Sequence, residues 1–249
     1  MPALADPPPV VRDAAAVPDP GSPAPPDPDA APPADGRVRR FAPVAALIES
    51  LHAAAPDRPV AVLDAGGFDT FWQALPAELV AKCRVTLLDP GLKKPPGAGR
   101  DPRFVYVTGD VCDLSRWRTG EFDLAFSQGT LDHLGMYDRQ ERFAAELRRV
   151  ARRYAVRTPN LWFPVDPDYR VPLWQFLPKR VQAAIVRRTR VGWVDRAETP
   201  AEATRWVEET RLVTAAELHA LFPDGRVTRE RLGGLTKSFL VMGPADRLG

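Results

Sequence analysis

Asp64, Asp89, Asp110 and His133 stand where a chain could use them for chemistry. Asp64 ends the apolar run Val60-Ala61-Val62-Leu63 and is followed by Ala65-Gly66-Gly67-Phe68-Asp69; Asp89 ends a second run, Val85-Thr86-Leu87-Leu88. A buried strand that ends in a glycine turn and opens a helix makes a polar cleft at its carboxyl end. An acid at the tip of the next strand can then accept both hydroxyls of a ribose. The pair points to a nucleoside-containing cofactor. His133 is one of three histidines, with His52 and His219, and follows a fourth apolar run; its ordinary pKa suits a general base.

These residues need a scaffold, and the hydrophobic pattern predicts one. Val44, Leu47, Ile48 and Leu51 recur at helical spacing within 41–54. Strands are expected at 60–64, 84–89, 103–107, 122–127 and 154–156, with a helix over 71–80 that Pro76 breaks or kinks. Asp138, with Glu141 three residues on, reads as the N-cap of a helix whose apolar face is Phe143, Leu147 and Val150. Thr214-Ala215-Ala216-Glu217 is a capping-box pattern opening a helix to Leu221. Residues 90–102 are rich in Pro, Gly and Lys and read as loop. The final strands, 227–232 and 238–242, are separated only by 233–237, too short for a crossover helix, so that pair is expected to be antiparallel. The fold class is therefore α/β, a doubly wound sheet, mostly parallel, with helices on both faces.

Composition divides the chain. Twelve of its 28 prolines lie in residues 1–36, which lack aromatics and bury too little apolar surface to offset ordering entropy, so this tail is expected to be disordered. It has neither the apolar core nor the basic start of a targeting peptide. The tail carries six Asp and one Arg, which leaves residues 37–249 about +7 against +2 for the whole chain. That is mildly basic, without the cationic stripe of a nucleic-acid binder. No apolar run is long enough to span a membrane. Cys83 and Cys112 show neither metal-ligand spacing nor a disulfide framework and fit a reducing cytoplasm; no metal site is expected.

Residues 41–243 resemble a class I S-adenosylmethionine-dependent methyltransferase. Val62-Leu63-Asp64-Ala65-Gly66-Gly67 is similar to the first cofactor motif, Leu88-Asp89-Pro90 to the ribose-binding acid, and Gly109-Asp110-Val111 to the adenine-edge motif. The stretch from Phe122 through Ser127-Gln128 to Asp132-His133-Leu134 is similar to the fourth strand and its following segment. A closer resemblance, to a type 11-like bacterial subgroup with glycan or secondary-metabolic acceptors, runs through Arg157-Thr158-Pro159-Asn160, Trp162-Phe163-Pro164 and Glu230-Arg231-Leu232-Gly233-Gly234. The resemblance implies a seven-stranded Rossmann-like sheet with an antiparallel last strand. It also implies S-adenosyl-L-methionine as cofactor and methyl transfer to a small-molecule or glycan-type acceptor, at oxygen. Asp64 would sit by the cofactor's ammonium and Gly66 and Gly67 against its backbone-facing side. Asp89 would take the ribose, Asp110 and Val111 the adenine, and Ser127 and Gln128 the methionine end. His133 would serve in catalysis.

Two departures leave alternatives open. Phe68 and Thr70 stand where the family has glycines, and the Phe68 side chain either crowds the cofactor or points into the helix-packing layer. A cofactor-binding domain without turnover and a nicotinamide-dependent oxidoreductase are the rival readings; the second wants glycines at those two positions. Residues 158–200 interrupt the strand–helix rhythm as an insertion over the sheet's carboxyl edge, with a basic helix expected over 177–190. It reads as an acceptor lid walled by Trp162, Phe163, Tyr169 and Trp174, as a plain cap, or as a peripheral membrane contact through 174–190.

Overall fold

The central strands at Val60–Ala65 and Phe122–Gln128 are nearly continuously buried because both faces of the sheet are covered there. The computed structural model describes residues 34–91 and 101–247. In chain order these form α1 (Ala34–Ala54), β1 (Val60–Ala65), α2 (Asp69–Gln73), α3 (Ala77–Val80), β2 (Cys83–Asp89), β3 (Phe104–Thr108), β4 (Phe122–Gln128), α4 (Tyr137–Val150), β5 (Ala151–Pro159), α5 (Lys179–Val186), α6 (Pro200–Glu209), α7 (Ala215–Leu221), β6 (Arg226–Leu232) and β7 (Leu235–Gly243). Short 3-10 turns lie at Leu131–His133, Trp174–Phe176 and Ala245–Arg247. Expectations for residues 1–33 and 92–100 fall outside the described residues.

The seven strands run in the order β3-β2-β1-β4-β5-β7-β6. All are parallel except β7, which is antiparallel to both β5 and β6. Chain order reverses between β1 and β4, which opens a crevice beyond their carboxyl ends. Side chains alternate between two cores. Val62, Val85, Leu87, Leu124 and Phe126 pack with α1, α2 and α3, and Leu63, Ala65, Leu88, Ala125 and Val156 pack with α4 and α7. The β6–β7 turn is Gly233-Gly234, both left-handed at φ 58° and 83°, as a two-residue hairpin requires.

The helices differ from expectation in four places, each for a local reason. The N-cap of α4 is Met136, whose carbonyl accepts from Arg139 and Gln140; Asp138 lies in the first turn and pairs with Arg142 at 3.2 Å. The expected 71–80 helix is two short ones, with Pro76 capping the second. The basic helix shrinks to Lys179–Val186, started by Pro178. Helix α6 was not anticipated, although Thr199 caps Glu202 N–H and Pro200 occupies the first turn, both start signals. In addition α1 begins at Ala34, seven residues before the helix expected at 41, so that 34–36, expected to belong to the disordered tail, are helical. The capping box at Thr214 and Glu217 is formed.

At the amino edge, Asp123 accepts from Arg58 at 2.5 and 2.8 Å and from Ala61 N–H at 2.9 Å, tying the start of β4 to the α1–β1 loop. Arg58 is half exposed, so the ion pair is partly screened. Asp123→Ala is expected to lower stability by about 1–2 kcal/mol in urea unfolding, since a partly buried N–H and the Arg58 guanidinium lose their acceptor. An unchanged midpoint would show that this clasp does not hold the edge.

Candidate active site

The crevice is closed at its base by one carbonyl. Ala65 C=O, at the end of β1, accepts from Ser127 Oγ at 2.8 Å and from Thr130 Oγ1 at 3.0 Å, which draws the tips of β1 and β4 together. Gly66 then turns left-handed (φ 83°) and its N–H donates to Leu88 C=O at 2.7 Å. A Cβ at Gly66 would stand 2.1 Å from Thr130 Oγ1, and one at Gly67 would stand 1.8 Å from Asp64 Oδ2. Both positions therefore require glycine, because Thr130 and Asp64 fill the space a side chain would take.

Asp64 is 1% exposed. Its Oδ2 accepts from Trp72 Nε1 at 2.7 Å, while its buried Oδ1 has no hydrogen-bond partner among the described residues. Burial pushes its pKa up to about 7; the Trp72 bond opposes that and the charge on Asp89 adds to it. A buried carboxylate with one unmatched oxygen fits a cationic partner. Trp72, eight residues on, is a hydrogen-bond partner of Asp64 that the motif did not reveal.

Asp89 lies beside this turn at the tip of β2. Its Oδ1 accepts from Gly91 N–H at 2.7 Å, and burial raises its pKa against that bond. Asp110 is exposed; its Oδ1 accepts from Cys112 N–H at 2.9 Å and both oxygens face Arg139 Nη2, at 3.0 and 3.3 Å. Val111 is buried in the same core as Leu88 and Leu114, so its side chain is committed to packing. Ser127 is likewise buried and its hydroxyl is used on Ala65, while Gln128 is exposed at the tip of β4. Phe68 is 40% exposed and belongs to neither core, so it does not enter the helix-packing layer. These features fit S-adenosylmethionine in kind: a glycine cradle, a buried acid for an ammonium, and a half-buried acid at the ribose position.

His133 lies on the 3-10 turn beyond β4. Its Nε2 is 3.6 Å from Asp132 Oδ2 and 3.5 Å from Asp168 Oδ2. Asp132 is fully buried and burial raises its pKa. Burial works against a charged imidazole at His133, but Asp132, Asp168, Asp166 and Glu209 outweigh it and hold its pKa above the ordinary value. Asp168 was not anticipated. It arrives from the 158–200 insertion, where Asp166 Oδ1 accepts from the N–H groups of Asp168 and Tyr169 at 2.9 Å and fixes the loop. Arg211 N–H to Asp132 C=O, at 2.7 Å, ties the segment that follows α6 to the same turn.

The insertion and α6 share a separate core, in which Tyr169 and Trp174 stack at 4.4 Å with Val186, Trp206 and Val207 around them. Tyr169 and Trp174 are buried, so they hold the insertion together and do not wall a pocket or meet a membrane. Trp162 (67% exposed) and Phe176 present open aromatic surface, with ring centroids 5.7 Å apart. Among the described residues no helix is long and apolar enough to cross a membrane.

Residues 63–155 match the family model described as a methyltransferase domain. No curated protein matches the sequence. Among solved structures the chain is similar to 1,6-didemethyltoxoflavin-N1-methyltransferase of Burkholderia thailandensis, crystallised with 1,6-didemethyltoxoflavin and S-adenosylhomocysteine: 22% identity, 84% of this chain and 81% of that one, TM-score 0.44. It is also similar to magnesium protoporphyrin IX methyltransferase of Synechocystis PCC 6803 with bound S-adenosylhomocysteine: 13% identity, 85% and 87% covered, TM-score 0.46. An O-methyltransferase family protein of Burkholderia thailandensis aligns at 14% identity over 84% of this chain and 57% of that one, TM-score 0.47. At these identities neither acceptor nor target atom transfers to this chain. The match of residues 63–155 to a methyltransferase domain, on a seven-stranded sheet with the glycine turn and strand-tip acids in place, supports class I S-adenosylmethionine-dependent methyl transfer, with S-adenosylmethionine as cofactor.

Proposed function

We propose that residues 37–249 act as one methyltransferase domain, with 158–200 as an acceptor lid, and methylate an oxygen of a small-molecule or glycan-type acceptor. The observation that carries the choice of oxygen is the Asp132–His133–Asp168 group at the carboxyl edge of β4. S-adenosylmethionine supplies a methyl on a sulfonium, reactive enough that the protein has chiefly to position the two reactants. Oxygen acceptors must shed a proton, and an imidazole flanked by two acids is suited to drawing it off.

In this reading Asp89 holds the ribose hydroxyls, Gly66 and Gly67 let the backbone approach, and Asp110 and the Val111 backbone meet the adenine edge. Asp64 holds the ammonium and Gln128 lines the methionine end. Ser127 acts from behind, through Ala65. Trp162 and Phe176 offer the lid's exposed aromatic surface to the acceptor, and His133 touches it as the catalytic residue. The buried free thiols of Cys83 and Cys112 fit a cytoplasmic setting.

Asp89→Ala is expected to weaken S-adenosylmethionine binding roughly 10–100-fold, as charge-assisted bonds to the ribose are lost. Unchanged affinity would sink that assignment. His133→Ala should leave cofactor affinity intact yet cut turnover about 100-fold or more, read as S-adenosylhomocysteine released with a panel of hydroxylated acceptors. Equal turnover would remove His133 from the chemistry. A pH dependence follows from Asp64, whose pKa is raised to about 7. The ammonium needs the ionised acid, which is present above that pH and lost below it. Affinity for S-adenosylmethionine should therefore level off above about pH 7 and weaken towards tenfold per unit below it. Asp64→Asn should flatten the profile; a wild-type profile flat from about pH 5.5 to 8 would contradict the ammonium contact.

A further inference from the structure

The distances around His133 are wrong for hydrogen bonds and right for something else. At 3.5 and 3.6 Å from Asp168 Oδ2 and Asp132 Oδ2, Nε2 is beyond the range in which an N–H bonds a carboxylate. The three ligand atoms nonetheless face one another, all within 4.8 Å. Two are carboxylates: Asp132 is out of water, and Asp168 is about one third exposed. Asp132 Oδ1 and Asp168 Oδ2 are buried without a hydrogen-bond partner among the described residues, and the Asp132 side chain is 2% exposed. Burying carboxylates that way costs several kcal/mol unless positive charge compensates. One imidazole beside two acids supplies at most one charge.

Metal–ligand bonds of about 2.0–2.2 Å, at roughly tetrahedral angles, place ligand atoms about 3.3–3.6 Å apart. We propose that Asp132, His133 and Asp168 bind one divalent transition-metal ion, of the Zn2+ or Mn2+ type, with the acceptor's oxygen as a further ligand. Two carboxylates and an imidazole suit such ions. The set has three protein ligands and an open side, since the His133 side chain is 42% exposed. Asp168 is preset for the role by the Asp166 turn, and Asp132 by Arg211 N–H on its own carbonyl.

The proposal rests on the methyl-transfer reading for its purpose and revises one role in it: His133 serves as a ligand through Nε2, and the ion, in place of the imidazole, promotes loss of the acceptor's proton. An acceptor hydroxyl on the ion gives up its proton to solvent more readily. The methyl carbon then leaves sulfur as its bond to that oxygen forms, and the sulfonium becomes a neutral thioether. The spacing of the sequence conceals the site, because Asp168 lies far along the chain from Asp132 and His133.

The test is calorimetric titration of the full chain, freed of affinity tag and bound metal, with Zn2+ and separately Mn2+. One ion per chain is expected, with affinity reduced at least about tenfold in His133→Gln and in Asp168→Asn. Both side chains are partly exposed, and thermal midpoints of the metal-free variants check that they fold. No binding, or binding undiminished in both folded variants, overturns the proposal. S-adenosylmethionine titrated in parallel separates the two readings: cofactor bound without an ion rejects the metal site alone, whereas an ion bound without cofactor rejects the methyltransferase reading of the site.

Discussion

Everything in this site depends on where the Ala65 carbonyl sends its two lone pairs. By accepting from Ser127 and Thr130 it leaves the last residue of β1 joined to the tip of β4 and to the segment beyond. Thr130 then occupies the space where a side chain at Gly66 would go, so the turn must be glycine and left-handed. Gly67 follows because the Asp64 carboxylate lies against it. The strand order makes a crevice between β1 and β4, and this carbonyl sets its shape.

The consequence is electrostatic. Folding the turn over Asp64 removes that acid from water with Trp72 as its hydrogen-bond donor. Burial of an acid in this way raises its pKa, a perturbation that clusters at functional sites. Beyond β4 the same economy recurs at Asp132, a buried acid whose surroundings are supplied partly by the insertion. Asp64 and Asp132 thus each keep one buried oxygen without a hydrogen-bond partner among the described residues.

The sheet was legible because strands covered on both faces read as short apolar runs, and the 233–237 connection leaves no room for a crossover helix. Asp64 and Asp89 were legible for the same reason, as acids ending such runs. What stayed hidden depends on contacts between distant segments. Trp72 reaches Asp64 only because α2 folds back over the turn, and Asp168 meets His133 through an aperiodic insertion. Ser127 was assigned to the cleft from its position, but a strand's alternation does not say which partner a hydroxyl takes. Trp174 and Tyr169 looked like pocket aromatics by composition and belong to the core that the insertion shares with α6. At α4 the Asp138–Glu141 pattern was present, yet the chain starts the helix earlier, from Met136. Conversely the Thr199-Pro200 start of α6 was written in the sequence and lay within a stretch read only as an insertion.

The most direct test of the cofactor site is calorimetric titration of the full chain with S-adenosylmethionine and S-adenosylhomocysteine, with NAD as control. The glycine cradle, the unmatched oxygen of Asp64 and the strand-tip Asp89 predict micromolar binding of the two adenosyl compounds and none of NAD. Failure of both adenosyl compounds to bind, or binding of NAD in their place, would contradict the assignment.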